Sequence, residues 1–312
     1  MPKVADSGIS NWKPDSLPDL TGKTYLITGG NSGIGLEAAK ILGAKGGDII
    51  IASRNAEKGE AAVDEVGETA RGKVAQLTLD LADLSSVRAA AEEAHGRFGG
   101  IDALINNAGI MQTPKQQTAD GFEMQLGTNH LGHFLWAGLM FDAVEQAGGR
   151  IVTLSSIAHK FGKVDFDNLM FEKNYSPMDA YTQSKLANIL FAFELDRRLK
   201  AKDSPVKSIA CHPGYSNTNL QSTGPQGMWN LLYKFTNALM AQPAEKGAYP
   251  TVLAAAGEEA VAGAYYGPTG FGDAGGPVGD AMVAERALNE EKAARLWAES
   301  EKLVGFEWDM LR

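Results

Sequence analysis

Short apolar runs alternate along this chain with longer stretches whose apolar residues recur every three or four positions. Lys23 to Thr28 reads as a first strand, after which Ile34, Ala38, Ile41 and Leu42 fall on one helical face. Asp48 to Ala52 is apolar after its first residue, as a strand buried on both faces should be. A helix over about 56–67 returns the chain to a third strand, Val74 to Leu79. Leu84, Val87, Ala91, Ala94 and Phe98 share a helical face ahead of a fourth strand, Ala103 to Asn106. A long helix is predicted over about 121–146, stopped by Gly148-Gly149, with a fifth strand at Ile151 to Leu154. Another helix spans about 179–200, and Val206 to Cys211 is a sixth strand. Strands separated by crossover helices predict an α/β fold, a doubly wound parallel sheet in one domain.

The ends of the chain are less regular. Residues 1–20 lack an apolar run and read as an N-terminal extension ahead of the domain at 21–312. Residues 215–243 carry Met228, Trp229, Leu232, Tyr233, Phe235 and Met240, more apolar bulk than a surface loop needs; a substrate lid is expected there, with a partner surface as the alternative for 228–240. A helix near 244–256 and a short strand at Ala264 to Tyr266 follow. Gly267 to Asp280 is glycine-rich and predicted to be loop, and Glu285 to Leu303 a terminal amphipathic helix.

Composition narrows the partners. The 38 Asp and Glu against 29 Lys and Arg give a net charge of −9, which disfavours nucleic acid and anionic membrane surfaces. The single cysteine, Cys211, lies in an apparent buried strand and excludes any intrachain disulfide. No apolar stretch is long enough to span a bilayer, and a cytoplasmic protein is expected. His130, His133 and His159 have no Cys or carboxylate cluster at ligand spacing, so no metal is expected.

The chemistry begins at Thr28-Gly29-Gly30-Asn31-Ser32-Gly33-Ile34-Gly35, between a strand and a helix. Glycines permit a sharp turn and a close ligand approach, and exposed amides at a helix start favour an anion. A dinucleotide pyrophosphate suits that place. At the end of the second strand, Ser53-Arg54 replaces the carboxylate that would bind a ribose 2′-hydroxyl. A guanidinium there suits a 2′-phosphate, so NADP(H) is favoured over NAD(H). Tyr181 and Lys185 share a helix face. A lysine cation beside a phenol is expected to lower its pKa and fit it for proton transfer. Such a pair, the serines Ser155-Ser156 and the turn Asn106 to Gly109 are each commonplace alone. Together they converge on the carboxyl edge of the sheet, where ligands bind in such folds.

With these motifs in order over about residues 20–266, the sequence resembles the short-chain dehydrogenases/reductases in their single-domain Rossmann form. Thr28 to Gly35 is similar to the family's T-G-x-x-x-G-x-G loop, and Asp80-Leu81 to its adenine-contacting pair. Asn106-Asn107-Ala108-Gly109 matches N-N-A-G, Tyr181 to Lys185 matches Y-x-x-x-K, and Pro213-Gly214 with Thr218 matches P-G-x-x-x-T. The resemblance implies Tyr181 as proton donor or base, Ser156 as a hydrogen-bond donor to the substrate oxygen, and Lys185 as a ligand of the nicotinamide ribose. Asn129 would hold a water linking Lys185 to solvent. Within the family, 52–55, 155–159 and 181–188 look most like the retinol-dehydrogenase-like NADP branch. The 25 residues from Ser156 to Tyr181 exceed the spacing of compact members. The insert at 160–177 either lines the substrate entrance or obstructs a helix face used for association, so monomer and homodimer both stay open.

The reading is an NADP(H)-dependent oxidoreductase interconverting a carbonyl and an alcohol on a fairly large apolar small molecule. A non-catalytic NADP(H)-binding sensor and a C=C reductase of the same fold are the alternatives. Alanines at Met228, Trp229 and Phe235 are expected to raise KM for bulky substrates, and unchanged kinetics would remove the lid.

Overall fold

The computed structural model describes residues 1–215 and 243–311. β1 (Thr24–Thr28), β2 (Asp48–Ser53), β3 (Val74–Thr78), β4 (Ala103–Asn106), β5 (Arg150–Leu154) and β6 (Lys207–Cys211) form the parallel body of one sheet. β7 (Tyr265–Pro268) extends it in parallel, and β8 (Val278–Asp280) closes it antiparallel. The order is β3-β2-β1-β4-β5-β6-β7-β8, so strand order reverses between β1 and β4. The two carboxyl ends diverge there, opening a crevice. The segment expected to be loop at 267–280 thus contains part of a hairpin; β8 is three residues long, too short for a periodic signal, and is held by pairing with β7.

One face of the sheet is covered by α1 (Gly33–Ala44), α2 (Ala56–Gly67) and α8 (Ala244–Ala256). α3 (Leu84–Arg97), the 124–146 stretch and α7 (Pro177–Ala201) cover the other. α7 is buried without interruption from Ala180 to Ala192. Neighbours on both sides enclose it. One of them is α9 (Glu290–Val304), whose Trp297 stacks on Phe191 at 5.7 Å and lies edge-on to Phe134 at 5.1 Å. This side of α7 is thus covered by the C-terminal helix. The insert packs Val164, Phe166, Leu169 and Met170 against the same side.

The predicted helix over 121–146 is broken into α4 (Met124–Leu126), a π-turn (Gly127–Leu131), α5 (Gly132–Leu139) and α6 (Phe141–Gln146). Gly132 follows the π-turn, and a Cβ there would lie 2.4 Å from the Leu81 carbonyl oxygen. The terminal helix likewise begins later than expected, at Glu290: Glu285–Leu288 is a separate 3-10 turn, and Asn289 caps the helix through the Lys292 amide. Residues 1–20 pack on the sheet edge, with Trp12 buried and Ser7 bonded to Asp280. Among the described residues no helix is long and apolar enough to cross a membrane.

Candidate active site

A cleft of about 1100 Å³ opens at the carboxyl edge of the sheet. Its floor is the β1–α1 turn. Gly29 and Gly33 adopt φ of +66° and +55°, and a Cβ on Gly35 would meet Gly29 O and Asn107 Nδ2 at 2.5 Å. Only glycine lets α1 start this close to the neighbouring turn. Ser32 precedes the helix without a side-chain cap, and no carboxylate lies in the first turn, so the helix start is left suited to an anion.

The Asn106–Gly109 turn is tied to β1 by the Thr28 hydroxyl and by Asn107 Nδ2, which donates to the Thr28 carbonyl at 2.7 Å. Thr28 Oγ1 accepts the amides of Asn107 and Ala108, each at 3.0 Å, and donates to His133 Nε2 at 2.8 Å. His133 in turn donates from Nδ1 to the Asn129 carbonyl at 3.1 Å. The sequence position of His133, within a helical pattern, gives no sign of this contact. His130 is also buried, against Ser300 Oγ at 2.9 Å. Among the described residues no group of three or more His, Cys, Asp or Glu side chains converges as metal ligands would.

Asp80, Leu81, Ser53 and Arg54 line the adjoining arm of the cleft, together with Lys58, a cation the sequence missed. Lys58 is one helical turn into α2 and carries no motif. Arg54 is exposed, and among the described residues no carboxylate pairs with it.

Ser156, Tyr181 and Lys185 meet at the centre. Ser156 Oγ hydrogen-bonds the Tyr181 phenol and accepts the Ala158 amide at 3.2 Å. Lys185 Nζ lies 6.0 Å from the Tyr181 ring centre and 3.4 Å from the Leu154 carbonyl. Burial sets both pKa values. It pushes the Tyr181 phenol up, opposed by the Ser156 hydrogen bond, and the Lys185 ammonium down to about 8. The expected lowering of Tyr181 by Lys185 is thus not what this arrangement shows, because desolvation of the phenol dominates. Cys211, behind Lys185, is buried and its thiol is pushed up to about 12.

Of the predicted residues, Asn31, Ser32, Ile34, Asn107, Ala108, Gly109, Pro213 and Gly214 also line the cleft. Asn129 does not. It is fully buried in the π-turn, its side chain bonded to both backbone polar groups of Ile110 and to Ser184 Oγ. It sits behind Gly109, beside Lys185 Nζ. Thr218 and the lid residues Met228, Trp229 and Phe235 lie outside the described residues. Phe161, Met178 and Tyr215 form an apolar rim, with Phe161 78% exposed.

The family model for short chain dehydrogenase matches residues 23–228. The chain belongs to the short-chain dehydrogenase/reductase family of oxidoreductases. Within it the chain is of the retinol-dehydrogenase-like type. It is 41% identical to human retinol dehydrogenase 13 over 310 residues, covering 95% of this chain and 89% of that protein. It is 38% identical to mouse retinol dehydrogenase 11, covering 98% and 93%. A solved structure of an uncharacterised Mycobacterium paratuberculosis protein superposes with a TM-score of 0.80 at 40% identity, covering 96% of this chain and 99% of that one. A Burkholderia cenocepacia short chain dehydrogenase in complex with NADP matches at a TM-score of 0.61 and 26% identity, covering 79% and 96%.

Proposed function

We propose that this protein is an NADP(H)-dependent oxidoreductase that interconverts a carbonyl and an alcohol on a fairly large apolar substrate. The observation that carries the reading is the single cleft on which the glycine turn, Arg54, Asn107, Ser156, Tyr181 and Lys185 all open. The nicotinamide dinucleotide would supply the hydride when bound. The β1–α1 turn and the start of α1 fit its pyrophosphate, since the helix start carries neither a side-chain cap nor a first-turn carboxylate and glycine at 35 lets it lie close against the turn. Arg54 and Lys58 hold a 2′-phosphate by charge. Lys185 binds the nicotinamide ribose, and Asn129, bonded to Ile110 and Ser184, supports the Gly109 turn beside it. Ser156 donates a hydrogen bond to the substrate oxygen while Tyr181 passes the proton. The apolar rim of Phe161, Met178 and Tyr215 receives the substrate body, in keeping with the retinol named in the relatives.

Arg54→Glu is expected to weaken NADPH binding by more than about tenfold, roughly 1.4 kcal/mol or more, and NADH binding by less. Titration of each by nucleotide fluorescence checks this, and equal losses would refute the preference. Gly35→Ala is expected to cost about 1–3 kcal/mol of stability and to weaken both nucleotides alike. Urea unfolding and the same titration read these effects. The reading itself is tested by NADPH oxidation with all-trans-retinal and a series of aliphatic aldehydes and ketones.

A further inference from the structure

The turn that follows Ser156 is held by residues more than a hundred positions away. Ile157–Phe161 forms a 3-10 turn with Ser156 as its cap. His159, fully buried in this turn, donates from Nδ1 to the Ser156 carbonyl at 2.6 Å. Its Nε2 accepts the Ala284 amide at 3.2 Å. An amide can only donate, so Nε2 must carry the lone pair and Nδ1 the hydrogen. Tyr265 Oη closes the same side, 3.4 Å from Nδ1. Two further contacts fix the turn. Lys160 makes a buried ion pair with Asp273 at 2.5 Å, and Arg286 donates to the Gly162 carbonyl at 2.7 Å.

The consequence falls on the serine. Its carbonyl receives both the amide and the ring N–H of His159. In that closed turn the Ala158 amide donates to Ser156 Oγ. With an acceptor site of the oxygen occupied in this way, its own hydrogen is directed to the cleft side, where it meets the Tyr181 phenol and can turn to a substrate oxygen bound beside it. We propose that His159 is a positioning residue: held as the Nδ1–H tautomer by the Ala284 amide, it locks the turn that presents the Ser156 hydroxyl to the substrate oxygen. This rests on the role given to Ser156 above.

Two substitutions separate positioning from packing. In His159→Asn the side-chain amide N–H takes the place of Nδ1–H, whereas in His159→Gln the side-chain oxygen replaces the Nε2 acceptor and the donor to Ser156 is lost. With all-trans-retinal and NADPH, the Gln variant is expected to lose about tenfold or more in kcat, with NADPH Kd unchanged. The Asn variant is expected to keep most of its kcat although its smaller side chain lowers Tm at least as much. Equal kcat losses, or losses that follow Tm, would overturn the proposal. Independently of either variant, nitrogen NMR of histidine-labelled wild-type protein should report His159 as the Nδ1–H tautomer, and the Nε2–H form would overturn it. Ser156→Ala distinguishes the levels. If it keeps full kcat, the role of Ser156 fails and the proposal with it; if it loses activity while Asn and Gln variants behave alike, His159 alone fails.

Discussion

Tyr181→Phe is expected to reduce kcat for carbonyl reduction by about a thousandfold or more while leaving NADPH affinity nearly unchanged. The phenol is enclosed by α7 and the Ser156 turn, and Ser156 is its hydrogen-bonding neighbour. The ammonium of Lys185 lies 6.0 Å from the ring, beside Gly109. Removing one oxygen atom leaves the packing of α7 intact and takes away the group placed to pass a proton. Ser156→Ala, which removes a donor to the substrate oxygen rather than the proton source, should cost about a hundredfold. Steady-state kinetics beside nucleotide titration check both, and a Phe variant that turns over at the wild-type rate would displace Tyr181 from its role.

The second large effect is on stability in acid. Burial pushes His130 and His159 down to about 4 and His133 and His212 down to about 3. In the unfolded chain these groups titrate near ~6.5. The folded state therefore holds them neutral where the unfolded state binds protons. Their stability is fully present above the unfolded pKa and is lost as pH falls from there towards 4. Each contributes a slope of about 1.4 kcal/mol per pH unit in that window. One unit below the unfolded pKa the four together cost about 5 kcal/mol, comparable with a typical total stability. A Tm lower by about 10 °C at mildly acid pH than at neutrality is expected from thermal melts in overlapping buffers. A flat profile would show that the rings are solvated.

The parts of this account that were legible in the sequence are those with a short-range signature. Glycines at 29, 33 and 35 announce a close turn, unbroken apolar runs announce central strands, and Tyr181 and Lys185 share a helix face whatever lies around it. The contacts that were not legible are long-range. Nothing near Thr28 indicates that its hydroxyl will meet His133, and nothing near His159 points to Ala284. The π-turn escaped notice because its residues fit a helix pattern, and the close approach of Gly132 to Leu81 beside it is long-range. The direction of the Tyr181 pKa shift was misjudged for a related reason. The pattern gives the neighbouring charge but not the depth of burial, and burial dominates.

Reduction with NADPH carrying deuterium at C4 of the nicotinamide tests the central claim most directly. With all-trans-retinal or a responsive aldehyde, the label should appear on the carbon bearing the new hydroxyl, from one face of the nicotinamide only, and about a thousandfold more slowly with Tyr181→Phe. Label found at a reduced carbon–carbon double bond, or NADPH bound tightly with no label transferred to any carbonyl, would contradict it.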